Sequence, residues 1–283
     1  MPSGGTYDVT YSKVGYEPQT ISIAISQGNV TVQDVQLVPI EPFTLTVTVQ
    51  DVNGNVIPNA NIQLVHPLIT YEGESNGIGE EVFSMYYEEV HNVNVGKWGY
   101  NTYCADLLIQ GATGSLTVVL YSGYYDDFTF DFGWTVSGDA ETGEWVRGVP
   151  NPTTNTVMGN DSFNDCGNMA YVTGNRDNTD PDYDDVDNGI TILTSPVMDL
   201  TSYLNPGIII EYAYFCNHGP GNIDDTLSFL VSNGSEQEII HQVLPPQSDE
   251  MSFIDEYFPL QGINVGITNS MTFSVFVSDY EPN

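Results

Sequence analysis

The sequence contains very little positive charge. Lys and Arg together number 4, whereas Asp and Glu number 38, so the formal net charge is −34. Proteins bind nucleic acids largely through Lys and Arg side chains that release counterions from the phosphates. Anionic membrane surfaces likewise attract segments that are rich in Lys and Arg. We therefore expect no nucleic-acid partner, and an anionic membrane surface is disfavoured for the same reason.

Cysteine and long apolar runs are also scarce. The three cysteines, Cys104, Cys166 and Cys216, are too few for a disulfide framework and lack the spacing of a zinc site. One disulfide could form, with Cys166 and Cys216 favoured because both lie in the C-terminal half; buried free thiols are the alternative. No apolar run is long enough to span a bilayer, so membrane insertion is not expected. The N-terminus lacks a signal-peptide pattern, so we expect any export signal to lie outside this chain.

Catalytic motifs are missing as well. The four histidines are scattered, without the spacing of zinc ligands. No G-x-S-x-G segment is present. Glu141 and Glu144 could imitate the acid pair of a glycosidase, but the sequence shows no sign of a deep cleft. We predict that the chain is not an enzyme.

What the chain does contain is strand-like alternation. Segments such as "TISIAI", "FTLTVTVQDV" and "TLSFLVS" alternate apolar and polar residues and are rich in β-branched and aromatic side chains. Gly, Asn, Asp and Pro separate them. Hydrophobic residues make up 40% of the chain, enough for a buried core. The pattern predicts an all-β fold.

A ten-residue pattern occurs twice. It reads "YDVTYSKVGY" at residues 7–16 and "HNVNVGKWGY" at residues 91–100, so that Lys97 lies 84 positions after Lys13. A strand-like segment with a Gly-containing turn follows each copy. We therefore predict two tandem β modules. Only twelve residues precede Lys13, whereas the second module has about fifty residues ahead of its lysine, so we expect the first module to be incomplete.

The second copy carries a family resemblance. The segments "DVNGNVIPNANIQLV", "NVNVGKWGYNTY" and "TGSLTVVLY" resemble a carboxypeptidase-regulatory-like repeat, a transthyretin- or immunoglobulin-like β-sandwich found in tandem on secreted bacterial proteins. The resemblance is clear over residues 43–122 and partial over residues 5–39. It implies that residues 1–40 are the C-terminal part of one such sandwich and residues 41–122 a complete one. The role that it implies is that of a spacer or stalk.

The C-terminal part has a different character, with longer polar loops and clustered aromatic residues. The segments "GNMAYVTGN", "DDVDNGITILTSPVMDLTSYLNPGIIIEYAYFCN" and "DDTLSFLVSNG" resemble a jelly-roll module, related to MAM-type and cleaved-adhesin domains. This module trails secreted peptidases and adhesins of the Bacteroidota. The resemblance implies a jelly-roll β-sandwich over residues 123–283, which we expect to lack its last strand.

Crowded carboxylates predict bound calcium. The segment "DPDYDDVDNG" places Asp180, Asp182, Asp184, Asp185 and Asp187 within eight positions. Like charges this close repel one another unless a cation lies between them, and Ca²⁺ takes about six to eight oxygen ligands from flexible loops. Asp185 and Asp187 are the principal candidates, and a solvated acidic loop is the alternative.

Other aspartates could complete the same calcium site or form a second one. In the resemblance, Asp126, Asp127, Asp224 and Asp225 lie at junctions between loops and strands. The segment "NDSFNDCGN" adds Asp165 as a candidate ligand, and Asp161 as a weaker one that is better explained as a turn residue.

Aromatic and basic side chains give the remaining candidates. Trp134 and Trp145 could stack against a sugar ring or a peptide, but the interpretation that we favour is that they fill the core. In so acidic a chain, Arg147 and Arg176 are each expected to pair with a nearby carboxylate.

These features predict a non-catalytic, extracellular or cell-surface accessory region of a larger bacterial protein. A stalk would carry a calcium-stabilised jelly roll that mediates adhesion by binding a carbohydrate or a protein at the cell surface. Two alternatives remain open. One is a structural subunit of a surface fibre or layer, self-associating by strand exchange at open sheet edges. The other is the trailing region of a secreted metallopeptidase.

Overall fold

The structure is a computed structural model that describes residues 4–152, 159–176, 184–214, 225–244 and 250–279. Every regular element in these ranges is a β-strand, which confirms the all-β class. The chain divides into two compact units, Met1–Gly123 (unit one) and Tyr124–Asn283 (unit two). The predicted boundary after residue 122 lies beside this division, and the three-part division remains a prediction. Across the described ranges, no helix has the length and apolar character needed to cross a membrane.

Residues 4–123, the described part of unit one, form eleven strands. They are β1 (Gly5–Tyr11), β2 (Tyr16–Glu17), β3 (Gln19–Ile25), β4 (Val38–Pro39), β5 (Phe43–Asp51), β6 (Asn61–His66), β7 (Ile69–Glu74), β8 (Glu80–Met85), β9 (Val90–Gly96), β10 (Tyr103–Leu108) and β11 (Ser115–Leu120).

Strands β5–β11 form a two-sheet sandwich. One sheet has the order β10-β9-β6-β7 and the other the order β11-β5-β8, with β11 parallel to β5. Alternate residues of β5, namely Leu45, Val47 and Val49, are fully buried because successive side chains of a strand point to opposite faces. They pack against buried residues of the other sheet, including Ile62 and Leu64. The core of unit one lies between these two sheets.

The repeated tetrapeptides form the same turn in both modules. The N–H of Tyr16 donates to the carbonyl of Lys13 at 3.0 Å, and the N–H of Tyr100 donates to the carbonyl of Lys97 at 2.9 Å. The intervening glycines, Gly15 and Gly99, have φ angles of +77° and +94°. Few residues other than glycine adopt these angles without strain, which explains why glycine occupies this position in both copies.

The described residues of unit two form nine strands. They are β12 (Thr135–Gly138), β13 (Trp145–Gly148), β14 (Ala170–Thr173), β15 (Gly189–Thr194), β16 (Gly207–Tyr214), β17 (Thr226–Ser232), β18 (Gln237–Val243), β19 (Glu250–Pro259) and β20 (Thr272–Asp279). Five of them form an antiparallel sheet in the order β12-β15-β20-β17-β18. Two antiparallel pairs, β13-β14 and β16-β19, accompany it. The specific jelly-roll topology remains a prediction.

The register of the five-stranded sheet brings three strand ends together. Gly189 of β15 pairs with Asp279 of β20, and Thr226 of β17 pairs with Ser278 of β20. The residues just before β15 and β17 therefore lie at the same end of the sheet as Asp279. Asp187 and Asp225 occupy these positions.

Candidate metal centre

A buried carboxylate lies at the start of unit two. The Asp127 side chain is only 2% exposed, and its Oδ1 accepts a hydrogen bond from the N–H of Thr129 at 3.0 Å. The hydroxyl of Thr129 in turn donates to the carbonyl of Cys166 at 2.8 Å. These bonds join the turn at Asp127 to the segment 161–167, which carries two further aspartates.

Three more carboxylates accompany Asp127. Asp161 is 9% exposed, and its Oδ1 accepts a hydrogen bond from the N–H of Ser162 at 2.8 Å. The hydroxyl of Ser162 donates to Oε2 of Glu211 on β16. Asp165 is half-buried and lies within electrostatic range of Asp127, Asp161 and Glu211. We call Asp127, Asp161, Asp165 and Glu211 the carboxylate cluster.

Burial raises the pKa values of the three aspartates of this cluster, and neighbouring negative charges add to the increase for Asp161 and Asp165. Burial is the largest cause for Asp165, whose pKa rises to about 7, and the charges of Asp161, Asp127 and Glu211 raise it further. The pKa of Asp161 rises to about 6, mainly through burial and then through Asp127 and Glu211. Burial also raises the pKa of Asp127. The fold therefore opposes the ionisation of these three aspartates.

Three oxygens of the cluster are buried without a hydrogen-bond donor. They are Oδ2 of Asp127, Oδ2 of Asp161 and Oδ1 of Asp165, and no described residue donates to them. A buried carboxylate oxygen that has lost its water is costly unless another group compensates it. Hard cations such as Ca²⁺ bind carboxylate oxygens of this kind. The donor type and the unsatisfied oxygens thus fit calcium.

The coordination geometry itself is not complete. Within the described ranges, no group of three or more His, Cys, Asp or Glu side chains is arranged so that it could hold a metal ion. The repulsion that raises the pKa values also opposes the approach of ionised carboxylates. An ion that binds here would have to draw these side chains together.

Asp126, the neighbour of Asp127, has a different role. Its Oδ1 accepts from the N–H of Phe128 at 2.8 Å and its Oδ2 from Nε1 of Trp134 at 2.7 Å. Burial raises the pKa of Asp126 to about 7, and these two hydrogen bonds oppose the increase. Arg147 contacts this turn through the carbonyls of Phe128 and Thr129, each at 2.9 Å. Its charge also lowers the pKa of Asp126, so the expected pairing of Arg147 with a nearby carboxylate remains a prediction.

The strongest sequence candidates, Asp185 and Asp187, lie in a second group. The hydroxyl of Thr142 lies 2.9 Å from the carbonyl oxygen of Asp185 and 3.1 Å from Oδ2 of Asp187. Asp225 lies at the same end of the five-stranded sheet, next to Asp279, which is 4% exposed. Asp180, Asp182 and Asp224 lie outside the described residues. The structure thus divides the predicted ligands between the carboxylate cluster and this sheet end.

The two tryptophans of unit two are half-buried. Trp134 donates its indole N–H to Asp126, and its ring meets that of Phe128 edge to face at 5.6 Å. Trp145 lies on β13, where its backbone N–H donates to Oγ1 of Thr191 at 3.3 Å. Stacking against a ligand by either ring remains a prediction.

A cleft beside the second group contains the glutamates that could imitate a glycosidase pair. It has a volume of about 270 Å³ and is lined by Glu141, Glu144 and Arg176, among others. Nε of Arg176 lies 3.8 Å from Oδ1 of Asp184, in line with the expected pairing of this arginine with a carboxylate.

Cys104 and Cys166 are each disulfide-bonded, so the alternative of free thiols does not hold for these two. Cys216 lies outside the described residues.

Sequence reasoning missed Glu211 as a member of the cluster. It lies in the strand "GIIIEYAY", where apolar and aromatic residues dominate. A single carboxylate in a strand of this kind is a usable signal, because ionised side chains are seldom buried without a partner.

Comparison with known proteins gives only distant similarities. No family model matches the chain, and no curated protein matches it. Among solved structures, the Bacillus anthracis TIE protein is 7% identical, with a TM-score of 0.25 over 99% of this chain and 56% of that protein. A Streptococcal ancillary pilin is 8% identical, with a TM-score of 0.23 over 97% of this chain and 72% of the pilin.

A third structure is a carbohydrate-binding module of the β-sandwich superfamily. It is 12% identical, with a TM-score of 0.19 over 86% of this chain and 92% of the module. The chain spans little more than half the length of the first of these proteins, 56%. Similarity at this level carries no information about function.

Proposed function

We propose that the chain is a non-catalytic, extracellular accessory region in which unit two is a calcium-stabilised β-sandwich that binds a carbohydrate or a protein. Unit one serves as its stalk. The observation that supports the proposal most directly is the carboxylate cluster. Its three orphaned oxygens belong to side chains whose ionisation the fold opposes. A divalent cation would bind the orphaned oxygens and would also stabilise the ionised form of these side chains.

The residues of the cluster would have distinct tasks. Asp127 and Asp161 are the most deeply buried, so they would supply ligands of fixed position. Asp165 is more exposed and would close over the ion from the loop. Glu211 extends from β16, so an ion held by all four would connect this strand to the loop and to the turn at Asp127. Bound calcium would supply positive charge beside these carboxylates.

Thermal unfolding with calcium and with a chelator tests the proposal. An ion that binds only the folded state adds about 2.7 kcal/mol of stability at a hundred times its dissociation constant. For a unit of this size we expect the melting temperature of unit two to rise by about 5–10 °C. An equal melting temperature with calcium and with chelator contradicts the proposal.

A matched pair of substitutions assigns the effect to the cluster. Asp127→Asn removes a charge and a ligand oxygen at a buried position, so the calcium-dependent shift should be lost. Asp131→Asn is the control, because Asp131 is exposed and its Oδ1 accepts a hydrogen bond from the N–H of Gly133, which an asparagine can preserve. If both variants keep the full calcium response, the ion binds elsewhere.

The ligand of unit two is tested separately. Immobilised glycans and surface proteins are exposed to the full chain with calcium and with chelator, and retention is measured. Retention that requires calcium and is lost in Asp127→Asn supports a binding module. If calcium stabilises unit two but the chain is retained on no glycan or protein, the calcium site is supported and the proposed binding role is wrong.

A further inference from the structure

The two faces of the β16–β19 pair in unit two differ in their surroundings. Tyr212 and Phe258 lie on the inner face, where their rings contact that of Phe229 on β17 at centroid distances of 4.9 and 6.2 Å. Successive residues of a strand point to opposite faces. Ile209 and Tyr257, which pair with each other across the two strands, therefore lie on the outer face. They are 68% and 59% exposed.

The ring of Tyr257 lies against the backbone of the neighbouring strand. A Cβ at Gly207, two residues before the partner of Tyr257, would lie 2.4–2.6 Å from Cε2, Cζ and the hydroxyl oxygen of that ring. Side chains of a strand usually stand perpendicular to the sheet. This ring instead leans along the sheet into the space that glycine leaves, so a broad side of it meets the solvent. An aromatic ring over a glycine also stabilises a sheet, and the experiment below separates the two roles.

Two amide side chains lie at the end of the pair toward which the ring leans. The N–H of Leu260 donates to the carbonyl of Pro206 at 3.0 Å, which extends the pairing beyond the two strands. Asn205 and Gln261 come next and are both exposed, and Nε2 of Gln261 donates to Oδ1 of Asn205. Each amide has more donor and acceptor positions than this bond uses. The amide pair can therefore also bind hydroxyl groups of a ligand.

Carboxylates lie at the opposite end of the outer face. Asp255 is exposed and pairs across the strands with Glu211, a member of the carboxylate cluster. Neither β16 nor β19 contains Lys or Arg. The face therefore repels anionic ligands, whereas its carboxylates can accept hydrogen bonds from hydroxyl groups. An uncharged ligand with an apolar surface and several hydroxyl groups suits this arrangement.

The extent of the apolar surface favours a sugar over a protein. Among the described side chains of β16 and β19, only Ile209 and Tyr257 are large, apolar and exposed. A stable protein interface takes about 800 Å² from each partner and has an apolar centre. One aromatic ring and one aliphatic side chain match instead a single pyranose, whose C–H groups can stack on the ring while its hydroxyl groups point to the side.

We propose that the outer face of the β16–β19 pair binds a neutral glycan, with one pyranose stacked on Tyr257 and its hydroxyl groups bound by Asn205 and Gln261. The inference rests on the proposed binding role of unit two and decides between its two ligand classes. It also adds an aromatic residue to the two tryptophans that the sequence indicates. Because Glu211 lies on the same face, an ion held by the carboxylate cluster would fix the strand that carries this site.

Titration calorimetry of the full chain tests the inference with neutral oligosaccharides of glucose, mannose and xylose, and with an acidic oligosaccharide of galacturonic acid. We expect the wild type to bind at least one neutral oligosaccharide and not to bind the acidic one. Tyr257→Leu keeps an apolar side chain beside Gly207 but removes the ring, so binding should weaken at least about tenfold. Tyr257→Phe keeps the ring and should retain most of the affinity.

Two further variants complete the experiment. Tyr121→Leu is the matched control, because Tyr121 lies in unit one and is 63% exposed, close to the exposure of Tyr257. This variant should bind the neutral oligosaccharide as the wild type does. Gly207→Ala leaves Tyr257 in place but displaces its ring, so it should also weaken binding. The melting temperature of unit two is measured for every variant, which separates a loss of binding from a loss of folding.

The results that would overturn the inference bear differently on the proposed function. If Tyr257→Leu binds the neutral oligosaccharide as tightly as the wild type, the sugar binds elsewhere and the proposed function is unaffected. A preference for the acidic oligosaccharide would contradict the neutral class of ligand. If immobilised proteins retain the chain but no oligosaccharide binds, the ligand is a protein and only the choice of a glycan is wrong. If the chain binds neither, the binding role of unit two is wrong together with this inference.

Discussion

The backbone N–H of Gly15 donates a hydrogen bond to the hydroxyl of Tyr87 at 3.3 Å, and this bond is buried. It joins the hairpin module, in which β1 pairs with β3, to the sandwich within unit one. The ring of Tyr87 stacks on that of His66 at 4.6 Å. A Cβ at Gly15 would lie 3.2 Å from the ring of Tyr86. The repeated turn of the first module is therefore the point at which it contacts the second.

Tyr87→Phe should weaken the contact between the hairpin module and the sandwich. The substitution leaves the N–H of Gly15 buried without its acceptor, which costs about 1–3 kcal/mol. We expect faster amide exchange in β1 and β3, with little change in β5 and β6. Tyr86→Phe is the matched control, because it keeps a ring beside Gly15 and leaves the hydroxyl of Tyr87 in place. Equal amide exchange of β1 and β3 in the two variants would show that the Tyr87 hydroxyl does not stabilise this contact.

Acid should destabilise unit one through His91. Its ring is fully buried, Nδ1 lies 3.0 Å from the carbonyl of Glu89, and Nε2 has no partner among the described residues. Burial lowers the pKa of His91 below 6.5, and the nearby ring of His66 lowers it further. The unfolded chain then binds more protons than the folded chain below about pH 6.5, so stability falls as the pH falls.

The test is the stability of unit one at pH 7.5 and pH 5 in wild type and in His91→Gln. The variant cannot titrate, so its loss of stability on acidification should be smaller than that of the wild type. His241→Gln, in unit two, is the control and should leave the pH dependence of unit one unchanged. A wild-type dependence that persists in His91→Gln would assign the effect to another group.

Without calcium, unit two should lose stability as the pH rises. The pKa values of Asp161 and Asp165 are raised from 3.8 to about 6 and about 7. Between about pH 4 and pH 7 the folded state therefore binds more protons than the unfolded state, and its stability declines through this window. Bound calcium replaces those protons, so the stabilisation by calcium should be larger at pH 7.5 than at pH 5. Equal calcium shifts at the two pH values would argue against binding at the cluster.

Gly138→Ala should strongly destabilise unit two. Gly138 has a φ of +137°, and a Cβ there would lie 1.9 Å from the carbonyl oxygen of Ile190 on the neighbouring strand. Because backbone must move, we expect a loss of at least about 2 kcal/mol in chemical denaturation. Gly133→Ala, with a φ of +91° and open space around it, should cost only about 1 kcal/mol. Similar losses of stability in the two variants would mean that β12 and β15 can shift to make room for the methyl group.

Much of the fold could be predicted from local patterns. The alternation in Phe43–Asp51 predicts both the strand and its buried residues, because a period of two determines which side chains share a face. The tetrapeptides around Lys13 and Lys97 predict equivalent turns, and the structure shows the same backbone hydrogen bond in each. These predictions succeed because the cause lies within a few neighbouring residues.

The candidate site could be predicted only in part. The family resemblance indicates Asp127, at a junction between a loop and a strand, and the segment "NDSFNDCGN" indicates Asp165, whereas the sequence explains Asp161 better as a turn residue. Glu211 was missed, since it lies on a strand remote in sequence from the other three. The strongest candidates, Asp185 and Asp187, lie instead beside Thr142 at a sheet end. Crowding in sequence does not determine which carboxylates meet in space.

The sequence by itself determined the β class, the tandem repeat, the turn glycines and the excess of negative charge. Each of these depends on residue type or on spacing along the chain. Only the tertiary structure decided that Asp127, Asp161, Asp165 and Glu211 lie near one another, and that β6 pairs with β9 in the second module. Strand pairing joins residues far apart in sequence, and burial then changes the ionisation of whichever carboxylates it encloses.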